Sequence, residues 1–448
     1  MVLATLAAVA AGCAAGRPAQ AVAVCPEPRP APVSSGTLGL AAFVGTDGRV
    51  YVWEAGAEGS AEVARPLHEP DEGWSVQALA LSPAPSRPYL AVAEAFDQGS
   101  GAATRLVVVD TRTTVTWKAL PNSGFTPDIS LLQWSRDGRR LFAGGSLPLV
   151  LDVDAGTSEV TWDLSAMAPP GSGTEARRPL LAPDFSVAAF TRHYLSGGLG
   201  EDLWTLGRDE SAPSRRTAGN LGAYPVAWLG GAADGSELGG PYDFLLVQVG
   251  ASSTGNGSPR GLAVVNVKTG EIEPLGRRGG ENAGTEEYPD ACGDCCVPLL
   301  VDLGKSRVLV HCFHVTAARE ARTYWVTLDD GTWVPVTGLD GLRVTAAVEV
   351  AGEPGLTVLL AHGAGEAGSE IWVLDGAGNA RRAAAIGERW DTHLVGSVPG
   401  RVLLLGVDRG GGRPAGLAAT FLVFDTTAAV LTDVLLTAAA EADGHGGP

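Results

Sequence analysis

Short apolar runs that end at an acidic or turn residue recur along the chain after residue 36. A turn rich in Gly, Thr or Asp follows each run, and this pattern is typical of short β-strands. No long stretch has the periodicity of a helix. The eight copies end at Glu54, Asp110, Asp152, Gly207, Asn266, Asp329, Asp375 and Asp425.

Further strands surround these copies. Residues 131–143 give a strand, an Asp-Gly turn and a second strand before Asp152, while residues 152–162 supply a turn and an outer strand after it. A period of roughly 40–60 residues made only of strands indicates a β-propeller with four strands per blade. The sequence therefore predicts an all-β propeller over residues 36–437, with eight blades favoured over seven.

The innermost strand of each blade is clear in seven repeats. These strands are predicted to begin near residues 76, 129, 178, 224, 297, 343 and 392. The first repeat lacks such a strand within its own span. Residues 21–24 are one candidate for it, and a seven-bladed ring with one split blade is the alternative.

One hairpin resembles a known repeat. Residues 134–143, WSRDGRRLFA, resemble the hairpin of TolB-like, WD-type propeller repeats, with Arg136 where that hairpin has proline. Only residues 129–143 match closely, and the Gly-His pair of WD repeats is not seen. The resemblance implies a propeller and leaves its function open.

The N-terminus indicates export. Residues 2–12 are small and apolar, too few to span a bilayer, and Cys13 follows directly. Residues 9–13 resemble the lipobox of bacterial lipoproteins, although Ala10 stands where leucine is usual and no basic residue precedes the run. The resemblance implies a signal peptide over residues 1–12 and a lipidated Cys13. The alternative is cleavage elsewhere, with Cys13 incidental.

Composition and the two terminal segments indicate which partners and which cellular location to expect. Residues 13–35 predict a flexible tether, and residues 438–448 a disordered tail. The net charge of −18 argues against both nucleic acid and an anionic membrane surface as partners, so contact with a membrane is expected through the lipid anchor alone. The predicted location is the cell envelope, on the extracytoplasmic side, as a monomer.

Cysteines cluster in one region of the chain. Cys292, Cys295 and Cys296 precede Cys312 and His314, and export would place these thiols in an oxidising compartment. A hairpin turning at residues 303–306 would set Cys296 opposite Cys312, which predicts a disulfide between them. Cys292 and Cys295 are the other disulfide candidates, and Cys25 would stay unpaired.

A metal site is the alternative for this cluster. Cys292, Cys295, Cys312 and His314 offer thiolate and imidazole ligands, and Cys312 and His314 would share one strand face. Disulfides are the preferred interpretation, so no metal is predicted.

Catalytic motifs are absent from the sequence. G-x-S-x-G does not occur, and none of the seven histidines lies in a triad signature. The glycines at 363, 365 and 368 are followed by a strand, whereas a dinucleotide site needs a helix there. No catalytic residue and no cofactor are therefore predicted.

The sequence favours a non-catalytic binding or scaffolding propeller of the cell envelope, with a protein or a glycan as its ligand. The inserts 192–202, 229–241, 252–260 and 277–296 are the expected contact loops. The alternative is an envelope enzyme, a glycan hydrolase or lyase, with its site at the channel mouth. Nine tryptophans fall within the repeats, which favours packing between blades over a quinone site.

Overall fold

A computed structural model describes the chain from residue 33 to residue 433, with gaps. The described residues are 33–35, 38–45, 47–54, 64–98, 101–120, 129–145, 148–154, 156–168, 172–194, 201–217, 222–229, 242–249, 261–275, 295–313, 321–363, 368–387, 390–408 and 419–433. They form thirty-two strands and two 3₁₀ turns, Ser165–Met167 and Leu303–Lys305. No helix among these residues is long and apolar enough to cross a membrane.

The strands form eight antiparallel sheets of four, each built from consecutive strands. Blade 1 comprises β1 Val33–Ser35, β2 Leu40–Val44, β3 Val50–Glu54 and β4 Arg65–His68, and blade 2 comprises β5 Trp74–Leu81, β6 Tyr89–Gln98, β7 Gly101–Asp110 and β8 Thr116–Leu120. Blade 3 comprises β9 Ile129–Trp134, β10 Arg140–Gly145, β11 Leu149–Asp154 and β12 Thr157–Asp163, and blade 4 comprises β13 Thr174–Leu181, β14 Val187–Tyr194, β15 Asp202–Gly207 and β16 Ser214–Arg215.

The second half of the chain repeats the plan. Blade 5 comprises β17 Tyr224–Leu229, β18 Phe244–Val249, β19 Gly261–Asn266 and β20 Ile272–Pro274, and blade 6 comprises β21 Cys295–Asp302, β22 Arg307–Phe313, β23 Arg322–Thr327 and β24 Trp333–Pro335. Blade 7 comprises β25 Arg343–Glu349, β26 Thr357–His362, β27 Ser369–Leu374 and β28 Ala380–Ile386, and blade 8 comprises β29 Trp390–Val398, β30 Arg401–Asp408, β31 Ala419–Asp425 and β32 Val430–Asp433.

The eight-bladed, all-β prediction is confirmed. The seven predicted inner strands correspond to β5, β9, β13, β17, β21, β25 and β29. The inner strand of the first blade, which the sequence left open, is Val33–Ser35, which pairs with β2. These residues belong to the blade and not to the tether over residues 13–35, and residues 21–24 lie outside the described residues.

In four blades the residue that ends the repeated apolar run caps the turn after the third strand. The Oδ1 atom of Asp110 accepts hydrogen bonds from the backbone N–H groups of Arg112 and Thr113, at 2.8 and 3.0 Å. Asn266, Asp375 and Asp425 accept from the following turn in the same way. Asp and Asn have short side chains that accept hydrogen bonds from the turn that follows them. This explains why these residues recur at the end of the apolar run.

Blades pack face to face through apolar side chains. Eight clusters of buried side chains occur in the described residues, one at each seam between neighbouring blades. Each blade thus covers one face of each neighbour, which a single four-stranded sheet could not do for itself.

The last seam closes the ring without a shared strand. Blade 8 is made of residues 390–433 and blade 1 of residues 33–68. Phe43 and Trp53 of blade 1 are buried against Leu403 and Val423 of blade 8. Side-chain packing therefore joins the two ends of the described chain.

Tryptophans tie neighbouring blades together. The indole N–H of Trp134 in blade 3 donates to the carbonyl oxygen of Ala80 in blade 2, at 2.9 Å. Trp228 donates to Leu180 and Trp333 to Leu275 across later seams. The structure thus supports the packing role predicted for these tryptophans.

The Trp134 hydrogen bond can be tested with a matched pair of variants. Trp117 lies in the same cluster, but its buried indole N–H has no hydrogen-bond partner among the described residues. We expect Trp134→Phe to lower the free energy of unfolding by about 1–3 kcal/mol more than Trp117→Phe, because it leaves the Ala80 carbonyl unpaired. Urea unfolding measures both, and equal losses would contradict the role of this bond.

Candidate functional site

The strand order divides the connections between two faces of the ring. Because each blade is a simple antiparallel meander, links from second to third strand and from one blade to the next leave the same face. We call this the loop-bearing face, and the other the opposite face. Three of the four long inserts join strands at the loop-bearing face: β14 to β15, β18 to β19 and β20 to β21. Only the insert between β17 and β18 belongs to the opposite face.

Innermost strands are interrupted by bulges. In blades 2 to 8 one extra residue of the inner strand is inserted opposite the second strand. Pro179, Pro225 and Pro298 lie at or beside three of these bulges, where an inner strand with a free edge tolerates a missing N–H. Bulges change the direction in which side chains point, and here they lie on the innermost strands of seven blades.

The bulge of blade 4 contains Arg178, an exposed residue. Its φ angle is +49°, in the left-handed region that costs a non-glycine residue roughly 1–3 kcal/mol. The guanidinium carbon lies 4.5 Å from the ring centre of Tyr224 in blade 5, and Nη1 lies 3.5 Å from Oε1 of Gln248. Arg178 therefore reaches across the seam between blades 4 and 5.

A compact ionic group, the Glu201 cluster, adjoins Arg178 and comprises Glu175, Arg177, His193, Glu201 and Tyr224. Glu201 is 5% exposed, and its carboxylate accepts from Arg177 Nη1 at 3.3 Å and lies 3.1 Å from His193 Nδ1. The Tyr224 hydroxyl donates to the same carboxylate. A buried carboxylate needs such partners because losing water is costly.

Tyr224 keeps its proton at neutral pH. Burial, together with the hydrogen bond to the Glu201 carboxylate, raises the pKa of its hydroxyl above the ordinary value. Its hydroxyl is thus a donor and not a base in this arrangement.

A second ionic group, the Glu94 cluster, lies at the seam between blades 1 and 2 near the same face. Glu94 is fully buried; His68 Nε2 lies 2.5 Å from its Oε1, and Arg105 donates to its Oε2. Arg105 also pairs with Asp71 at 2.5 Å and stacks on Trp74 at 4.2 Å. The hydrogen bond from Arg105 lowers the pKa of the exposed Asp71 carboxyl. Every charge in this cluster is matched, which indicates a structural role.

The predicted disulfide is present between Cys296 and Cys312. These residues are paired across β21 and β22, their Cα atoms 4.1 Å apart, and the hairpin turns at Leu303–Lys305 as predicted. The Cys312 sulfur is therefore not a thiolate available to a metal. Cys13, Cys25, Cys292 and His314 lie outside the described residues, and the side chain of Cys295 does as well. No group of three potential metal ligands occurs among the residues that are described.

His311, beside the disulfide in β22, is buried and joins blades 6 and 7. Its Nε2 accepts from the backbone N–H of Val344 at 3.3 Å, so Nδ1 carries the proton toward Thr323 Oγ1 at 3.0 Å. Burial, with a smaller contribution from Arg343, lowers its pKa to about 4.

Comparisons with known proteins support the fold. No protein-family model and no curated protein sequence match this chain. A solved prolyl endopeptidase structure is similar with a TM-score of 0.50 and 12% identity, over 85% of this chain and 55% of that chain. The chain thus spans about half of that protein, and at this identity the likeness shows the fold alone.

Two further solved structures are similar at lower scores. An oligogalacturonate lyase in complex with manganese has a TM-score of 0.44 and 14% identity, over 85% of this chain and 83% of that chain. The β-propeller domain of the Trilobed protease from Pyrococcus furiosus has a TM-score of 0.45 and 9% identity, over 81% and 96%.

Sequence reasoning did not find the two ionic clusters. Glu201, His193 and Tyr224 lie on three different segments, and no local motif marks them. Only the strand order brings these segments to one face. Nothing in the sequence indicates the left-handed backbone of Arg178, since a following proline favours extended backbone at the residue before it.

The disulfide is expected to stabilise blade 6. The double variant Cys296→Ala with Cys312→Ala should lower the free energy of unfolding by about 3 kcal/mol, because the unfolded chain loses a covalent constraint. Reductant should lower the melting temperature of the wild type and leave that of the double variant unchanged. A wild-type melting temperature that does not change with reductant would contradict the disulfide between Cys296 and Cys312.

His311 should make stability depend on pH. Its folded pKa of about 4 lies below the ordinary 6.5, so the unfolded chain binds the proton more tightly. Its stabilising effect is complete above pH 6.5 and is lost as the pH falls toward 4, by about 3 kcal/mol. We expect the stability gap between wild type and His311→Gln to shrink by that amount between pH 7 and pH 4. Parallel profiles in urea unfolding would contradict this.

Proposed function

We propose that this chain is a non-catalytic binding or scaffolding propeller of the bacterial cell envelope. It is exported, anchored by lipid at Cys13 on the extracytoplasmic side, and acts as a monomer. The four long inserts lie mostly outside the described residues, but the strands that they connect are described. The observation that supports this function best is that three of these inserts connect strand ends at the loop-bearing face. Variable loops on a rigid ring are where such scaffolds bind protein or glycan partners.

The ionic clusters agree with a binding role. Glu201 and Glu94 each accept from several donors and are almost fully buried, so their carboxylates serve the blade seams. Groups satisfied in this way fix the positions of the strand ends that hold them. The exposed residues beside them are then free to contact a ligand.

A second candidate function is an envelope enzyme, a glycan hydrolase or lyase. The observation in its favour is the convergence of Glu201, His193 and Tyr224 at the strand ends of the loop-bearing face. Tyr224 or His193 would have to exchange its hydrogen bond for one to substrate. Turnover of an acidic or neutral glycan that is lost in Tyr224→Phe, with folding intact, would favour this candidate over binding.

Blade 5 offers a matched test of the loop-bearing face. It carries one long insert on each face: residues 250–260 between β18 and β19, and residues 230–241 between β17 and β18. Val249 pairs with Gly261, and Leu229 with Phe244, so a short Gly-Asn turn can replace either insert. In-cell cross-linking of the tagged, full-length protein then reports which face holds a partner.

We expect specific envelope partners with the wild type and with the variant shortened at 230–241. Shortening 250–260 should lower their recovery at least tenfold. A Cys13→Ala variant, run in parallel, should leave the membrane fraction and recover fewer partners. Equal recovery from both shortened variants would overturn the assignment of the face. No specific partner with the wild type would overturn the scaffold function.

A further inference from the structure

The guanidinium of Arg178 is positioned by contacts with blade 5, but it has no carboxylate partner among the described residues. Its neighbour Arg177 is paired with Glu175 at 3.1 Å and Glu201 at 3.3 Å. Among the described residues, no carboxylate pairs with Arg178, whose guanidinium contacts only a Tyr224 ring and the Gln248 amide oxygen. Arg178 is thus the exposed arginine beside the Glu201 cluster that has no carboxylate partner among the described residues.

The backbone conformation of Arg178 is energetically unfavourable for a residue other than glycine. An arginine at φ +49° directly before Pro179 is strained, because both the left-handed region and the position before proline restrict side chains with a Cβ. Glycine would fit this bulge better. Strained residues of this kind persist where neighbouring contacts hold them, and they are concentrated at ligand sites. Stacking on Tyr224 is the contact that holds the guanidinium here.

We propose that Arg178, on the innermost strand of blade 4, binds a carboxylate of an acidic peptide segment on the side of the loop-bearing face. This inference rests on the proposed binding function and names its ligand chemistry. A planar guanidinium donates two parallel hydrogen bonds to a carboxylate, and stacking already restricts its rotation. The bound state therefore costs little side-chain entropy.

The surroundings favour a peptide over a glycan. Sugars bind to free aromatic faces, whereas one face of Tyr224 is covered by Arg178 and its hydroxyl is engaged by Glu201. A nucleic acid would need many cations, and the chain has a net charge of −18. That charge does not prevent local binding, because repulsion beyond about 8 Å is screened at physiological ionic strength.

Fluorescence anisotropy of the full chain with fluorescein-labelled hexaglutamate tests this site. Hexaglutamine and trigalacturonate serve as uncharged and glycan probes, the latter by competition. Arg178→Gly removes the guanidinium while relieving the backbone, so its melting temperature should equal or exceed that of the wild type. Its dissociation constant for hexaglutamate should rise at least tenfold, and that of Arg178→Lys by a smaller factor.

Arg112→Gly is the matched control. Arg112 is an exposed arginine in a turn of the opposite face, and its side chain donates to the Pro85 carbonyl. Its removal should change the dissociation constant less than twofold. Unchanged affinity in Arg178→Gly, no hexaglutamate binding by the wild type, or binding of trigalacturonate in its place would each overturn the inference.

The in-cell experiment separates this inference from the proposed function. If Arg178→Gly still recovers the envelope partners of the wild type, the loop-bearing face binds them without this residue. The carboxylate site would then be wrong and the binding function would stand. If the wild type recovers no partner, the proposed function fails whatever hexaglutamate does.

Discussion

Packing between neighbouring blades is the constraint on which this structure depends. One four-stranded sheet exposes two apolar faces, and only a ring of such sheets covers all of them. The eight seam clusters meet this demand around the whole circle. The seam between blades 8 and 1 meets it by side-chain packing, with Phe43 and Trp53 as its largest buried members.

The same seams explain where the polar chemistry lies. Blades meet most closely near the channel, and backbone and charged groups buried there need partners from the adjacent blade. His311 accepts a hydrogen bond from the backbone N–H of Val344, and the Gln248 amide donates to the carbonyl oxygen of Cys296. The Tyr224 hydroxyl donates to the Glu201 carboxylate. Arg178 lies next to this satisfied network, and its contacts across the seam orient a guanidinium that has no carboxylate partner among the described residues.

Local patterns in the sequence determined most of the fold. Asp110 and Asp425 mark their strands because each caps its own turn, so eight repeats could be counted. The inner strand Val33–Ser35 was missed because three residues are too few for a periodic signal. Glu94 and Glu201 were missed for another reason: their partners lie on other strands, and only the ring brings them together. The Cys296–Cys312 pairing could be predicted because both residues belong to one hairpin.

Native-state hydrogen exchange tests the central claim, that packing between neighbouring blades makes the ring one cooperative unit. Amides in the middle strands of all eight blades should exchange through a single global opening, with blades 1 and 8 as protected as blades 4 and 5. Exchange of blades 1 and 8 at a markedly lower free energy, while the others stay protected, would contradict the claim and show that the ring opens at its last seam.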